Sequence, residues 1–169
     1  MLFPDELHIS QSLKKTLKKN LFTHTFDTAF EQVIAECSAK PRPGQDGTWI
    51  TDEMKAGYFE LHRLGFAHSL ETWSEGRLVG GLYGVSIGPF FFGESMFSHE
   101  SNASKTALVE LVSFLAKKSF VCIDCQVYTG HLASMGAKNV SREIFLTILA
   151  RDVQSETIRG SWKSLMSPD

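Results

Sequence analysis

No apolar run in the sequence approaches the roughly 18–20 residues that span a bilayer. The start, Met1-Leu2-Phe3-Pro4-Asp5-Glu6, lacks the basic-then-apolar order of a secretory signal. The three cysteines are an odd number without framework spacing, which argues for a reducing compartment. A cytoplasmic monomer with no membrane partner is therefore expected. A basic excess is missing too. The formal charge is −2, so any contact with nucleic acid must come from a local patch. Around Gly80-Gly81 the glycine spacings of phosphate loops are absent. His62, His68 and His131 have no metal-ligand spacing and read as ordinary histidines, so no metal is expected.

What is present suits one folded unit. A length of 169 residues fits one domain, since domains commonly run to roughly 100–150 residues. With 43% hydrophobic residues there is material for a core. The expectation is a single domain over 1–169, with a helical part over 1–40 and a catalytic core over 48–151.

Along the chain, Ser10 is placed to cap a helix running to Asn20, and Asp27 to cap a second carrying Phe30, Val33, Ile34 and Cys37. Lys40-Pro41-Arg42-Pro43-Gly44-Gln45-Asp46-Gly47 reads as an exposed loop. Thr51 starts a third helix with Met54, Tyr58, Leu61 and His62 inward, stopped by Gly65. Ala67–Ser74 and Arg77–Gly88 alternate around Glu75-Gly76 as a hairpin, and Pro89–Phe97 follows as a third strand. Ser101 or Asn102 caps a long helix to Lys118. Phe120–Val127 is nearly continuous and apolar, as a central parallel strand should be. Short helices over Gly130–Met135 and Ser141–Arg151 complete the chain. An antiparallel meander, a helical crossover and a further strand give an α/β fold, a mixed sheet flanked by helices in the layout of acetyltransferase-like (GNAT) domains. Fold alone does not give the reaction.

Several residues can carry chemistry. Asp124 and Gln126, two apart on the expected strand, leave the same face, with Cys125 on the other. A bonded Asp–Gln pair can orient the amide oxygen towards an incoming amine. It serves equally well as a cap for neighbouring loops. Cys122 and Cys125 form a C-x-x-C, but strand positions three apart face opposite sides and no second pair exists, so a metal or redox site is rejected. Glu94 among Phe90, Phe91, Phe92, Met96 and Phe97 is an ionisable group in aromatic surroundings, or an outward-facing strand residue, which spacing slightly favours. Gly80-Gly81 permits a bulge or a close approach of another group. Asn102-Ala103-Ser104-Lys105 opens a helix where N–H groups and a lysine can meet a phosphate, or where they simply cap and solvate it. Lys14, Lys15, Lys18 and Lys19 form one basic stripe, either a solvated face or a grip on an RNA backbone. Trp49 can stack a base or join a core.

The runs Thr48-Trp49-Ile50-Thr51, Gly65-Phe66-Ala67-His68-Ser69-Leu70-Glu71-Thr72-Trp73 and Leu78-Val79-Gly80-Gly81-Leu82-Tyr83-Gly84 are followed by Gly93-Glu94-Ser95-Met96-Phe97-Ser98 and Asn102-Ala103-Ser104-Lys105. Ile123-Asp124-Cys125-Gln126 and His131-Leu132-Ala133-Ser134-Met135-Gly136-Ala137 come next. In this order they resemble the leucyl/phenylalanyl-tRNA–protein transferases, bacterial enzymes of the N-degron pathway, over His8 to Leu149.

The resemblance implies transfer of Leu or Phe, and less well Met, from aminoacyl-tRNA to the N-terminal Arg or Lys of an acceptor protein. No cofactor is implied, because the activated ester supplies the driving force. Asp124 would hold Gln126, whose carbonyl oxygen draws a proton of the attacking amine, and Glu94 would position the acceptor. Leu82, Phe91, Leu108 and Leu111 would line the aminoacyl pocket, with Leu111 standing where some relatives carry an aromatic. Trp49 would stack on the terminal adenine. The family's N-terminal region, which precedes the position of His8, is expected to be absent. Two readings from other classes remain: a catalytically weak binding module for N-terminal Arg/Lys or for aminoacyl-tRNA 3′ ends, and an acetyl-CoA acetyltransferase. The latter lacks its pyrophosphate loop here.

Overall fold

The computed structural model describes residues 1–40 and 48–165. From Pro41 on, the loop expected up to Gly47 lies outside the described residues. The strands are β1 (Thr23–Phe26), β2 (Ala67–Ser74), β3 (Arg77–Ile87), β4 (Phe90–Ser98) and β5 (Cys122–Asp124). They form one sheet in the order β1-β2-β3-β4-β5. The first four are antiparallel and β5 runs parallel to β4. The helices are α1 (Gln11–Lys18), α2 (Phe30–Ala39), α3 (Asp52–Arg63), α4 (Ala103–Lys117), α5 (Gly130–Ser134) and α6 (Arg142–Asp152). No helix among the described residues is long and apolar enough to cross a membrane.

Most local signals act as expected. Ser10 and Thr51 accept the N–H groups of Leu13 at 3.2 Å and Met54 at 3.3 Å, capping α1 and α3. The hairpin between β2 and β3 turns at Glu75 and Gly76 with φ of 49° and 74°, the sense that matches the twist of the flanking strands. At Gly80 a Cβ would lie 2.7 Å from that of Ala103. The glycine therefore lets the start of α4 rest directly on β3, which is the close approach that the sequence allows.

Two expected caps change. Asp27 does not cap α2, whose first flanking residue is Ala29. With φ at 52°, its carboxylate accepts the N–H groups of Ser69 at 3.0 Å and Trp162 at 2.7 Å, and pairs with His68 Nδ1 at 3.0 Å. Buried Glu71 on β2 serves α2 instead, accepting from the N–H groups of Thr28 at 3.3 Å and of Ala29. Asn102 flanks α4 at φ 68° without capping it; its amide donates to Thr16 Oγ1 at 3.2 Å, tying α4 to α1. Ser98 Oγ takes the Ser104 N–H at 3.2 Å.

Apolar side chains fill both faces of the sheet. On one, α4 contributes Leu108, Leu111 and Leu115 against Leu70, Leu82 and Phe91, with Trp162 fully buried among them. On the other, Val33 and Ile34 of α2 and Tyr58 of α3 meet Tyr83 and Phe97. Phe91 and Phe97 lie an even number of residues apart on one strand and should share a face. They do not, because the β3–β4 register steps between Tyr83↔Ser95 and Gly84↔Gly93. Glu94 is the extra residue of that bulge, and the bulge inverts the strand.

Candidate active site

The parallel pairing of β4 and β5 covers only Phe90↔Cys122, Phe91↔Ile123 and Phe92↔Asp124. Beyond it β4 continues to Ser98 while β5 ends, and the two chains part. Asp124 itself causes the ending. Its Oδ1 accepts the backbone N–H of Gln126 at 2.8 Å, and Gln126 adopts φ of 58°. An aspartate that bonds the main chain two residues on makes a tight local turn, which competes with the sheet ladder.

This corrects the expected strand over Phe120–Val127. Asp124 and Gln126 are not same-face neighbours on a strand, and the aspartate holds the main chain of Gln126. Thr129 then takes the Leu132 N–H at 3.1 Å and starts α5.

The parting of β4 and β5 opens a cavity of about 530 Å³. Leu82, Phe91, Met96, Leu108, Leu111 and Ile123 form its apolar wall, and Trp49, Glu94, Gln126 and His131 stand among its polar and aromatic lining. Leu82, Phe91, Leu108 and Leu111 are all buried. Trp49 is 39% exposed and is held at the lip by its neighbours: Ile50 is buried, and Thr51 donates its N–H to Trp49 O at 3.0 Å.

Glu94 faces inward because it occupies the bulge. It accepts the hydroxyl of Tyr58. Burial first, then the nearby carboxylate charge and its hydrogen bond, push the Tyr58 ionisation well up, so the phenol stays a donor. Spacing slightly favoured an outward Glu94; the bulge overrides spacing.

A second cavity, about 340 Å³, lies on the other side of the segment after β5 and is lined by Asp124, Lys138 and Arg142. Cys125, Gln126, Val127, Thr129 and Leu132 line both. The large cavity thus gathers Trp49, Leu82, Phe91, Glu94, Leu108, Leu111 and Gln126, while Asp124 reaches it only through the main chain of Gln126. Lys14, Lys15 and Lys18 on α1 and Lys19 just after it are exposed and do not line it.

Cys122 and Cys125 are free thiols. Burial, Asp124 and Cys125 push the Cys122 thiol up to about 12, and burial raises Cys125 as well. Neither is a thiolate nucleophile at neutral pH. No group of three or more potential metal ligands occurs among the described residues.

Sequence reasoning passed over two residues at the site, Tyr58 behind Glu94 and His131 in the lining. Tyr58 looked like one more residue of a core stripe, and its partner could not be seen without the bulge. His131 looked ordinary. Its Nε2 is buried without a hydrogen-bond partner, and its ionisation is pushed down by burial and then by Lys105 and Lys40.

The family model described as leucyl/phenylalanyl-tRNA protein transferase matches residues 1–150. This chain belongs to that family. It is 51% identical over 164 residues to the leucyl/phenylalanyl-tRNA–protein transferase of Syntrophus aciditrophicus, covering 97% of this chain and 69% of that one. The Myxococcus xanthus relative is 53% identical over 162 residues, with 96% and 69% covered. The Pseudomonas fluorescens relative is 56% identical over 151 residues, with 89% and 66% covered. Among solved structures, an aminoglycoside acetyltransferase from an uncultured soil metagenomic sample superposes with a TM-score of 0.52 at 13% identity, over 72% of this chain and 93% of that chain. That likeness concerns the fold, which is GNAT-like: a mixed sheet, helices on both faces, and a cleft where β4 and β5 part.

Proposed function

We propose that this chain is a cytoplasmic aminoacyltransferase that moves leucine or phenylalanine, and methionine less well, from aminoacyl-tRNA to the N-terminal arginine or lysine of proteins. The modified proteins are thereby marked for N-degron degradation. Residues 1–169 act as a single GNAT-like catalytic domain, monomeric and without a cofactor. Beside the family membership, one observation carries this reading: the large cavity joins a buried apolar wall to a lip of Trp49, Glu94 and Gln126.

The wall of Leu82, Phe91, Leu108 and Leu111 receives the side chain being transferred. Unbranched and γ-branched chains enter such a wall, whereas branching at Cβ meets it sterically and a polar chain loses its hydration without replacement. Trp49 offers its half-exposed face to the terminal adenine, since base stacking on an aromatic contributes about 1–3 kcal/mol. Held at the fork between β4 and β5, the ester carbonyl lies between Gln126 and Glu94. The Gln126 amide oxygen accepts from the attacking amine, and Asp124 keeps the segment in place. Glu94, anchored by the Tyr58 hydroxyl, orients the cationic acceptor. Orientation supplies most of the acceleration, because holding two reactants in attacking geometry removes a large entropic part of the barrier.

The test is direct. The chain, leucyl- or phenylalanyl-tRNA and a peptide beginning with arginine are incubated, and the extended peptide is read by mass. Extended peptide is expected. Tight binding of tRNA or peptide without product, under conditions where a relative from this family turns over, would replace this reading with that of a binding module.

A further inference from the structure

Phe91 lines the large cavity with a ring that two residues outside the cavity hold in place. The first is Gly84 on β3. A Cβ there would stand 2.5 Å from Cε1 and 2.7 Å from Cζ of the Phe91 ring, so the ring is seated where any other residue would put a side chain. The second is Trp162. Its indole meets the Phe91 ring with centroids 6.0 Å apart and planes tilted by 40°. Trp162 is fully buried and does not itself line the cavity.

The indole has little freedom to move. Phe114 packs on it at 5.0 Å and Phe26 at 5.9 Å between ring centroids. The His68 imidazole stacks on it at 3.7 Å with the planes 9° apart. Its main-chain N–H donates to Asp27 at 2.7 Å, and its Nε1–H donates to Ile158 O at 3.1 Å. The segment that brings it there follows α6 and is fastened along its length. Thr157 Oγ1 accepts the Gly88 N–H at 2.7 Å, and the Gly160 N–H donates to Gly65 O at 3.3 Å. This strap lies beyond residue 150, where the match to the family model ends.

Close-packed interiors transmit changes of volume, and a side chain that loses its backing settles into the space left behind it. We propose that Trp162 is a specificity-determining residue of the transfer. From behind the wall it holds the Phe91 ring forward, and so limits the depth of the pocket for the transferred aliphatic or aromatic side chain. It touches no substrate and acts through Phe91, as a positioning residue. This rests on the transferase reading above.

Trp162→Phe leaves an aromatic ring in the core but opens room behind Phe91. The test is a competition: leucyl- and phenylalanyl-tRNA, in one reaction with a peptide beginning with arginine, give products distinguished by mass. Their ratio reads the ratio of kcat/KM for the two donors and does not depend on how much of a variant is folded. In Trp162→Phe it is expected to move about 10-fold towards phenylalanine. A deeper pocket fits the longer ring and leaves leucine beside a void, and such differences in apolar fit are worth about 10- to 200-fold. In Phe91→Leu, which lacks the ring that Trp162 backs, the same substitution should leave the ratio where it was, since residues that act through one another are not additive.

An unchanged ratio in Trp162→Phe overturns this inference alone, whatever happens to the thermal midpoint. An equal shift with and without Phe91 overturns action through that ring. A Trp162→Phe chain that makes neither product, beside an active wild type, assigns the indole to folding and overturns the inference equally. Absence of product from the wild type overturns the transferase reading and this inference with it.

Discussion

Asp124 and Gln126 are coupled through one main-chain hydrogen bond of 2.8 Å. A glutamine at φ 58° is in a region that L-residues other than Asn, Asp and Gly seldom adopt, so the aspartate is what holds it there. Asp124→Ala removes that hold and lets the segment relax away from the ester. The expected result is a fall in kcat of about 10- to 100-fold, within the range that misplacing a reacting group by about an ångström produces. Asp124→Asn retains an oxygen for the Gln126 N–H and should recover most of the rate, which a charge-based role would not allow. Gln126→Ala should be as slow as Asp124→Ala. Because the Gln126 N–H lies in an exposed stretch, the bond contributes at most about 1.5 kcal/mol to folding, and circular-dichroism melts of all three variants should stay within about 6 °C of the wild type. A wild-type kcat in Asp124→Ala would remove the positioning role.

At the scale of elements, the strands that sequence missed or overextended are those whose limits depend on polar side chains. β1, Thr-His-Thr-Phe, has too little apolar alternation to announce a strand. It exists because β2 offers a pairing edge and because Thr25 Oγ1 donates to Glu71 at 2.5 Å. β5 was overextended because its apolar run continues past the aspartate that ends it. By contrast, α1, α3 and the β2–β3 hairpin carry their own caps and turn residues, and their limits were legible. Glu71 links β1, β2 and α2, receiving Thr25 and Ser69 hydroxyls and the Thr28 and Ala29 N–H groups. Burial raises its ionisation above the ordinary carboxylate range, against those hydrogen bonds. The folded chain therefore keeps this proton to higher pH than the unfolded chain does. It follows that Glu71 contributes most stability below its unfolded value, and that this contribution declines as pH rises through the folded value. Glu71→Gln, which cannot ionise, should flatten that decline in denaturant midpoints measured from acid to neutral pH. Glu71→Ala should cost about 1–3 kcal/mol, from the unpaired N–H groups at the start of α2. A midpoint with the same pH slope in Glu71→Gln and wild type would assign the slope to another group.

Taken as a whole, the molecule joins an apolar cavity wall to a few polar and charged lining residues, Glu94 and Lys40 among them, and carries further cations on its surface. The cavity wall was legible only through the resemblance: Leu82 stands in one of its strings, and Leu82, Phe91, Leu108 and Leu111, which the resemblance implies for a pocket, line one cavity. Tyr58 and the inward turn of Glu94 were not legible, since a bulge reverses a strand without leaving a pattern in hydropathy. Lys14, Lys15, Lys18 and Lys19 were legible as a stripe but not as a function. In the fold they project from α1, whose Leu13 is buried in the α4 core and whose Thr16 bonds Asn102 at the start of α4. The helix carrying the stripe is thus braced against the helix whose Ser104, Leu108 and Leu111 line the cavity. An overall charge of −2 cannot attract tRNA at long range, so affinity for its backbone must rest on local cations such as these. Each phosphate neutralised releases bound counterions and steepens the dependence of affinity on salt by about 0.7–0.9 in log–log slope. Replacing all four lysines with glutamine, at exposed sites where folding is indifferent, should weaken tRNA binding and flatten that slope by about one for each phosphate no longer neutralised. The aminoacyl-adenosine fragment, which has no backbone to hold, should bind the variant as it binds the wild type. Filter binding of tRNA across a salt series reads the first effect and calorimetry with the fragment reads the second. An unchanged salt slope would return the stripe to the role of a solvated helix face.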